Sequence, residues 1–170
     1  MRCEWLPELM PCDNWADFAS YEEKLYQIFS MDFIQTQPQF KNKPVIIRRH
    51  PMVDDREQTF FHVITKDDSS KNDRILDPKR CERIRWIRAF IENYDCDPTK
   101  CEACSGIKVW DEPYKANKRV FILSEEEKYM VILERRERYN MLITAYYLDY
   151  PHSLEKQLKK YNYYQKTKRA

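Results

Sequence analysis

A chain of 170 residues with 34% charged and 42% hydrophobic residues has the balance of a soluble globular domain that can bury its own core. No apolar run approaches the roughly 18 residues of a membrane-crossing helix, and Met1-Arg2-Cys3-Glu4-Trp5 lacks the apolar stretch of a secretion signal, so a cytoplasmic protein with no membrane contact is expected. The single glycine, Gly106, nearly excludes glycine-rich phosphate loops and dinucleotide fingerprints, in which several backbone amides must approach a phosphate closely. The formal net charge of +2 is unevenly placed. Residues 1–34 hold seven acidic side chains against two basic ones, and residues 151–170 hold six basic against one acidic. Such asymmetry fits a polyanion-facing side, or two ends that pack together.

In chain order, residues 5–36 read as helical, with an apolar stripe through Trp15, Phe18, Leu25, Ile28 and Phe29. Pro38 and Pro44 bound a connector, after which Pro44-Val45-Ile46-Ile47 reads as a short strand. Thr59-Phe60-Phe61-His62-Val63-Ile64-Thr65, rich in aromatic and β-branched residues, reads as a second strand, and 66–73 as a charged loop. Asp77-Pro78 pairs a side-chain N-cap with proline at the first helical position and opens a helix to about Tyr94. Its apolar face is Ile84, Ile87, Phe90, Ile91 and Tyr94, and at 100° per residue Arg80 falls on the centre line of that stripe. Arg80 is thereby aimed at a site, or its stem packs while its head reaches water. Residues 96–105 read as a loop and Ile107–Trp110 and Arg119–Leu123 as strands. Tyr129–Glu134 and Met141–Leu148 form a last hairpin, and a C-terminal helix starts near Ser153. This order predicts an α+β fold: N-terminal helices, an antiparallel sheet of four to five strands packed on a central helix, and a C-terminal helix.

Three groups of residues could carry chemistry. Thr144 and Tyr146 lie two apart in the last strand and share a face, which puts two hydroxyls about 7 Å apart on one side; high strand propensity alone would also place them there. His62 is the one histidine of three held firmly in regular structure, with an ordinary pKa near 6.5 that suits a general acid or base; a structural histidine is the alternative. Lys66, Lys71, Arg74, Lys79 and Arg80 lead from His62 to a helix N-terminus, a combination that attracts anions. Separately, Cys96-x4-Cys101-x2-Cys104 has near-zinc spacing. The obvious fourth thiol, Cys81, lies 15 residues before Cys96 along the helix, roughly 20 Å away, which argues against a closed four-cysteine site. Thiols without metal are therefore expected, and Cys3 and Cys12 fit no pattern.

Together, Phe60-Phe61-His62-Val63-Ile64-Thr65, Arg74, Arg80-x-x-Arg83-x-x-Trp86-Ile87 and Leu142-Ile143-Thr144-Ala145-Tyr146-Tyr147 resemble the assembly of small nucleases that includes barnase, EndoU, the tRNA-cutting colicins and RelE, above all its prophage and toxin-type members. The resemblance covers residues 44–161, on the order and spacing of scattered residues. It leaves outside it an N-terminal helical segment, 1–43, ahead of a ribonuclease-like domain, 44–170. It implies RNA cleavage without metal or cofactor: His62 as acid or base, Arg74 and Arg80 on the scissile phosphate, Thr144 and Tyr146 touching it from the last strand. Lys66, Lys79, Arg83, Lys159 and Lys160 would bind RNA around the site. It also implies a toxin or defence effector, with an antitoxin or immunity protein as partner. The rival readings are a non-catalytic RNA-binding module that stacks bases on Tyr161, Tyr163 and Tyr164, and a phage-borne domain that docks an acidic protein.

Overall fold

The computed structural model describes residues 2–99, 102 and 104–169, the last two of these by backbone alone. Its fold is α+β. A mostly antiparallel six-stranded sheet runs β1 (Gln39–Phe40), β2 (Lys43–Ile46), β10 (Asn140–Tyr147), β9 (Tyr129–Arg135), β8 (Asn117–Ser124) and β7 (Ile107–Tyr114). Only the β2–β10 pair is parallel, and it touches at two positions, Val45 with Asn140 and Ile46 with Met141. Beyond Met141, β10 is therefore an open edge, a position that must be covered or paired.

Period-two alternation gives the sheet two apolar faces. On one, Val120, Ile122, Tyr129, Val131, Leu133, Leu142 and Ala145 pack under α1 (Phe18–Ser30) and α4 (Ile84–Glu92). Tyr21, Leu25, Phe29, Phe33 and Phe40 join that same core, so the segment before residue 44 is built into it. On the other face Trp110, Phe121, Leu123, Met130, Ile132 and Leu148 are covered by α5 (Pro151–Arg169) through Leu154, Leu158 and Tyr161. Among the described residues no helix is long and apolar enough to cross a membrane.

Several local expectations are corrected. Residues before Trp15 are not helical; α1 spans 18–30 and continues as a π-helical turn, Met31–Gln35. The irregular segment 2–14 is tied down by carbonyls: Trp86 Nε1 donates to Pro7 O at 2.9 Å, Arg85 to Glu8 O at 2.9 Å and Tyr21 Oη to Met10 O at 2.6 Å. The stretch read as a strand around His62 is a helix, α2 (Gln58–Ile64). Phe60, Val63 and Ile64 are buried, at i, i+3 and i+4; burying that face outweighs the strand preference of their side chains. The charged stretch after it is a hairpin of β5 (Thr65–Asp68) and β6 (Asp73–Leu76) rather than a loop. A further hairpin, β3 (Met52–Val53) with β4 (Arg56–Glu57), precedes α2. The helix opened by Asp77 breaks at Arg83 (φ −105°, ψ 17°) into α3 (Pro78–Glu82) and α4, and the expected cap holds, with Asp77 accepting from Lys79 N at 3.0 Å.

Asp32, in the π-helical turn, carries a testable cost. Burial lifts its pKa to about 6, with Glu92 adding to the rise and Arg88 and Arg85 opposing it. Its ordinary value is 3.8, so the unfolded chain keeps it ionised more readily than the fold does. The penalty is full above pH 6 and fades as pH falls toward 4. Asp32→Asn should raise Tm at pH 7, with the gain shrinking between pH 6 and 4 in thermal melts; an unchanged Tm at pH 7 would mean Arg88 already compensates the charge.

Candidate functional site

The second face of the sheet is covered by α5 at one end only. At the other end it floors a cleft of about 720 Å³, walled by α2, β6 and α3. The polar ends of the alternating stripes face this cleft: Tyr114 beyond Trp110, Arg119 beyond Phe121, Glu134 beyond Ile132, and Thr144 and Tyr146 before Leu148. A bulge between Leu142 and Thr144 shifts the β10 register, leaving Ile143 without a ladder partner on β9. Such bulges re-aim side chains at sheet edges. Thr144 pairs with Ile132 and Tyr146 with Met130, both on the α5 face, so the two hydroxyl residues do share a side.

Arg80 reaches over the open edge of β10 to meet them. Its Nη1 donates to His62 O at 2.9 Å and lies 3.5 Å from Thr144 Oγ1, and its guanidinium stands 5.3 Å from the Tyr146 ring centre. Asp77, nearly fully buried, holds it from behind, 3.4 Å from Arg80 Nε. Arg74 converges from β6: Nε on Thr65 Oγ1 at 2.9 Å, Nη2 on Thr65 O at 2.8 Å and near His62 O at 3.4 Å, Nη1 on Asp67 at 2.7 Å. The final carbonyls of a helix have no partner of their own. Here those of α2 recruit the two arginines, and that fixes both guanidinium groups beside the His62 backbone.

His62, Arg74, Arg80, Thr144 and Tyr146 thus line one cleft, although they come from four elements. The five cations expected around them do not line it. Lys79 pairs with Asp149 at 2.6 Å and faces the Tyr147 ring. Arg83 is half-buried between Trp86 and Tyr147 and paired with Glu82. Lys66 lies in β5 outside the cleft. Lys159 and Lys160 sit on α5 at a different surface cavity, and Lys160 is 3.4 Å from Glu112. Ion pairs and ring contacts use Lys79, Arg83 and Lys160 instead.

In their place the cleft holds Arg48, Lys115, Arg119 and Arg136, none of which stood out in the sequence. Arg119 stacks on Tyr114 with its guanidinium carbon 3.6 Å from the ring centre. Arg136 pairs with Glu134 at 2.9 Å, and Arg48 and Arg119 have no ion pair among the described residues. Six cations against Asp67 and Glu134 make this concavity positive. A signal for Arg119 was present: Leu123, Phe121 and Arg119 continue one period-two stripe, and a charge ending such a stripe marks where cover stops.

Burial lowers the His62 pKa below the ordinary 6.5, Arg74 and Arg80 push the same way, and Asp67 pulls back. At neutral pH the imidazole is therefore neutral and able to accept a proton. Burial raises the phenol of Tyr146, against the pull of Arg80, so it retains its proton. Among the described residues no group of three or more potential metal ligands gathers. Compared with known proteins, the chain matches no family model, no curated protein and no solved structure.

Proposed function

We propose that the protein is an endoribonuclease whose own side chains suffice for cleavage by attack of a 2′-hydroxyl on the adjacent phosphate. One observation carries this reading: a single positive cleft contains a neutral histidine, a protonated tyrosine and two arginines anchored at the same helix end. The reaction needs a base, an acid and positive charge on the developing phosphorane dianion. His62 takes the 2′-hydroxyl proton. The 2′-oxygen bonds to phosphorus while the phosphorus–O5′ bond breaks, and Tyr146 gives its proton to the departing 5′-oxygen. Arg80 and Arg74 hold the non-bridging oxygens, with the Thr144 hydroxyl beside Arg80. The products are a 2′,3′-cyclic phosphate and a 5′-hydroxyl. Arg48, Arg119 and Arg136 would hold flanking phosphates. A cytoplasmic toxin or defence effector, kept in check by a protein that covers this cleft, is the setting we propose for such an activity. Of the tail tyrosines that a stacking platform would need, Tyr161 and Tyr164 pack on the second core, and that favours the enzyme over a passive binder.

The deciding experiment incubates purified protein with total RNA in EDTA and examines the ends. New 5′-hydroxyl and cyclic-phosphate ends are expected. RNA that is bound but uncut would replace the enzyme by a binding module, and cleavage abolished by EDTA would point to metal-assisted hydrolysis. The pH profile adds a sign test. With His62 as base and its pKa lowered, kcat/KM should rise with pH through a midpoint below 6.5 and stay flat across neutrality. A rate that falls as pH rises through 6 to 7 would make His62 the acid instead.

A further inference from the structure

The second site is at the other end of the sheet. Cys3, which fits no sequence pattern, is buried with its Sγ 3.6 Å from Cys104 Sγ, across 101 residues of chain. A disulfide would bring the sulfurs to about 2.05 Å. Two thiolates sharing one tetrahedral zinc, each at about 2.3 Å, stand about 3.8 Å apart. The observed separation belongs to the second geometry.

The surroundings also suit a thiolate. Gly106 N points at Cys104 Sγ from 3.3 Å, and an N–H donor stabilises the charged sulfur that a metal needs. The same glycine, at φ +94°, closes the loop: a Cβ there would meet Pro98 Cδ at 3.0 Å and the Asp97 Cα at 3.1 Å. Ile107 N then donates to Cys96 O at 2.8 Å, bringing the two ends of the loop together, and Glu126 takes Ser105 N at 2.7 Å. Cys96 is buried at the start of this loop. Cys101, between them in sequence, lies outside the described residues.

We propose that Cys3 and Cys104 are two ligands of a structural zinc ion. The chain's own N-terminal segment, and not the helix at Cys81, brings a thiol to Cys104. Cys81 instead packs in the first core, with burial pushing its thiol up to about 12. The ion would pin the N-terminal segment to the base of β7. The cleft lies at the far end of that strand, roughly 23 Å away at 3.3 Å per residue, so this zinc takes no part in cleavage.

The test measures metal, not cleavage, so it stands or falls apart from the ribonuclease reading. The full chain is purified in reductant, dialysed free of loose metal and assayed for zinc. It is then stripped with a strong chelator and loaded with cobalt(II). About one zinc per chain and an intense thiolate-to-cobalt absorption are expected. Both should be retained in Cys12→Ser and fall at least tenfold in Cys3→Ser and in Cys104→Ser. Stripping the unaltered chain should lower its Tm, and zinc should restore it, a result that does not depend on any variant folding. A metal-free chain that gives no cobalt absorption would overturn the proposal. So would Cys3→Ser and Cys104→Ser variants that bind metal as the parent does, or a Cys3–Cys104 disulfide in place of the ion.

Discussion

His62→Ala should lower RNA cleavage by at least about 100-fold while leaving the fold intact, the loss expected when a general acid or base is removed. The fold should survive because the structural service of this residue is rendered by its backbone: His62 O receives Arg80 and Arg74, and alanine supplies the same carbonyl. Among the described residues the imidazole itself makes no hydrogen bond, and the apolar face of α2 is carried by Phe60, Val63 and Ile64. Alanine also suits a helix better than histidine. Cleavage and Tm should therefore separate, with activity lost and the melt within a few degrees of the parent. Cleavage within about threefold of the parent would remove His62 from the chemistry and leave it a wall residue of the cleft. An asparagine variant, which keeps polarity but cannot titrate, should be as inactive as alanine.

Arg80→Ala should cost on the order of 10²–10³-fold in cleavage, about 3–4 kcal/mol in barrier, as when one preorganised donor to a developing oxyanion is deleted. Arg80 is mostly buried, spans His62 O, Thr144 Oγ1 and the Tyr146 ring, and has Asp77 at its back. Burial and the nearby Arg74 both work against its charge, and Asp77 counters them. Such a cation is poised for an anion that replaces lost solvation. Its removal also leaves Asp77 buried with one partner fewer, so the variant should melt lower. The double variant Asp77→Asn with Arg80→Ala removes that stranded charge and should recover part of the Tm with no gain in cleavage. Thr144→Val deletes one neutral hydroxyl, which accepts only a long hydrogen bond from Arg80, and should cost no more than about tenfold. If Arg80→Ala cleaves as the parent does once its stability is restored, the guanidinium is only a helix cap.

How much of the site could be read in the sequence depends on which physical force placed each residue. Arg80 lines the cleft although the helix breaks at Arg83, between it and the whole Ile84–Tyr94 stripe, so its bonds to His62 O and Thr144, and not its angle on one continuous helix, fix it there. That Thr144 and Tyr146 share a face is legible in the sequence, because strand alternation survives a bulge that lies before both. The element that carries His62 is misread from sequence for a local reason: Thr, Phe, Val and Ile favour strands, and only the first core, which buries Phe60, Val63 and Ile64 together, decides for a helix. The lysines expected around the site lie outside the cleft, because sequence proximity to a basic run says nothing about partners. Lys79 meets Asp149 from 70 residues away.

The sequence by itself determined the α+β order of elements, the Asp77 cap, the four-stranded meander from Ile107 to Tyr147 and the two opposite faces of that meander, since all of these follow from periodicity and end signals within a few residues. Only the tertiary structure decided where the second face stops being covered. Helix α5 is just long enough to shield one end, so the charged ends of the stripes, with Arg48 and Arg136, gather into one cleft. Only the tertiary structure, too, could bring Cys3 to Cys104, because a contact across 101 residues is fixed by how the core packs and by no pattern along the chain.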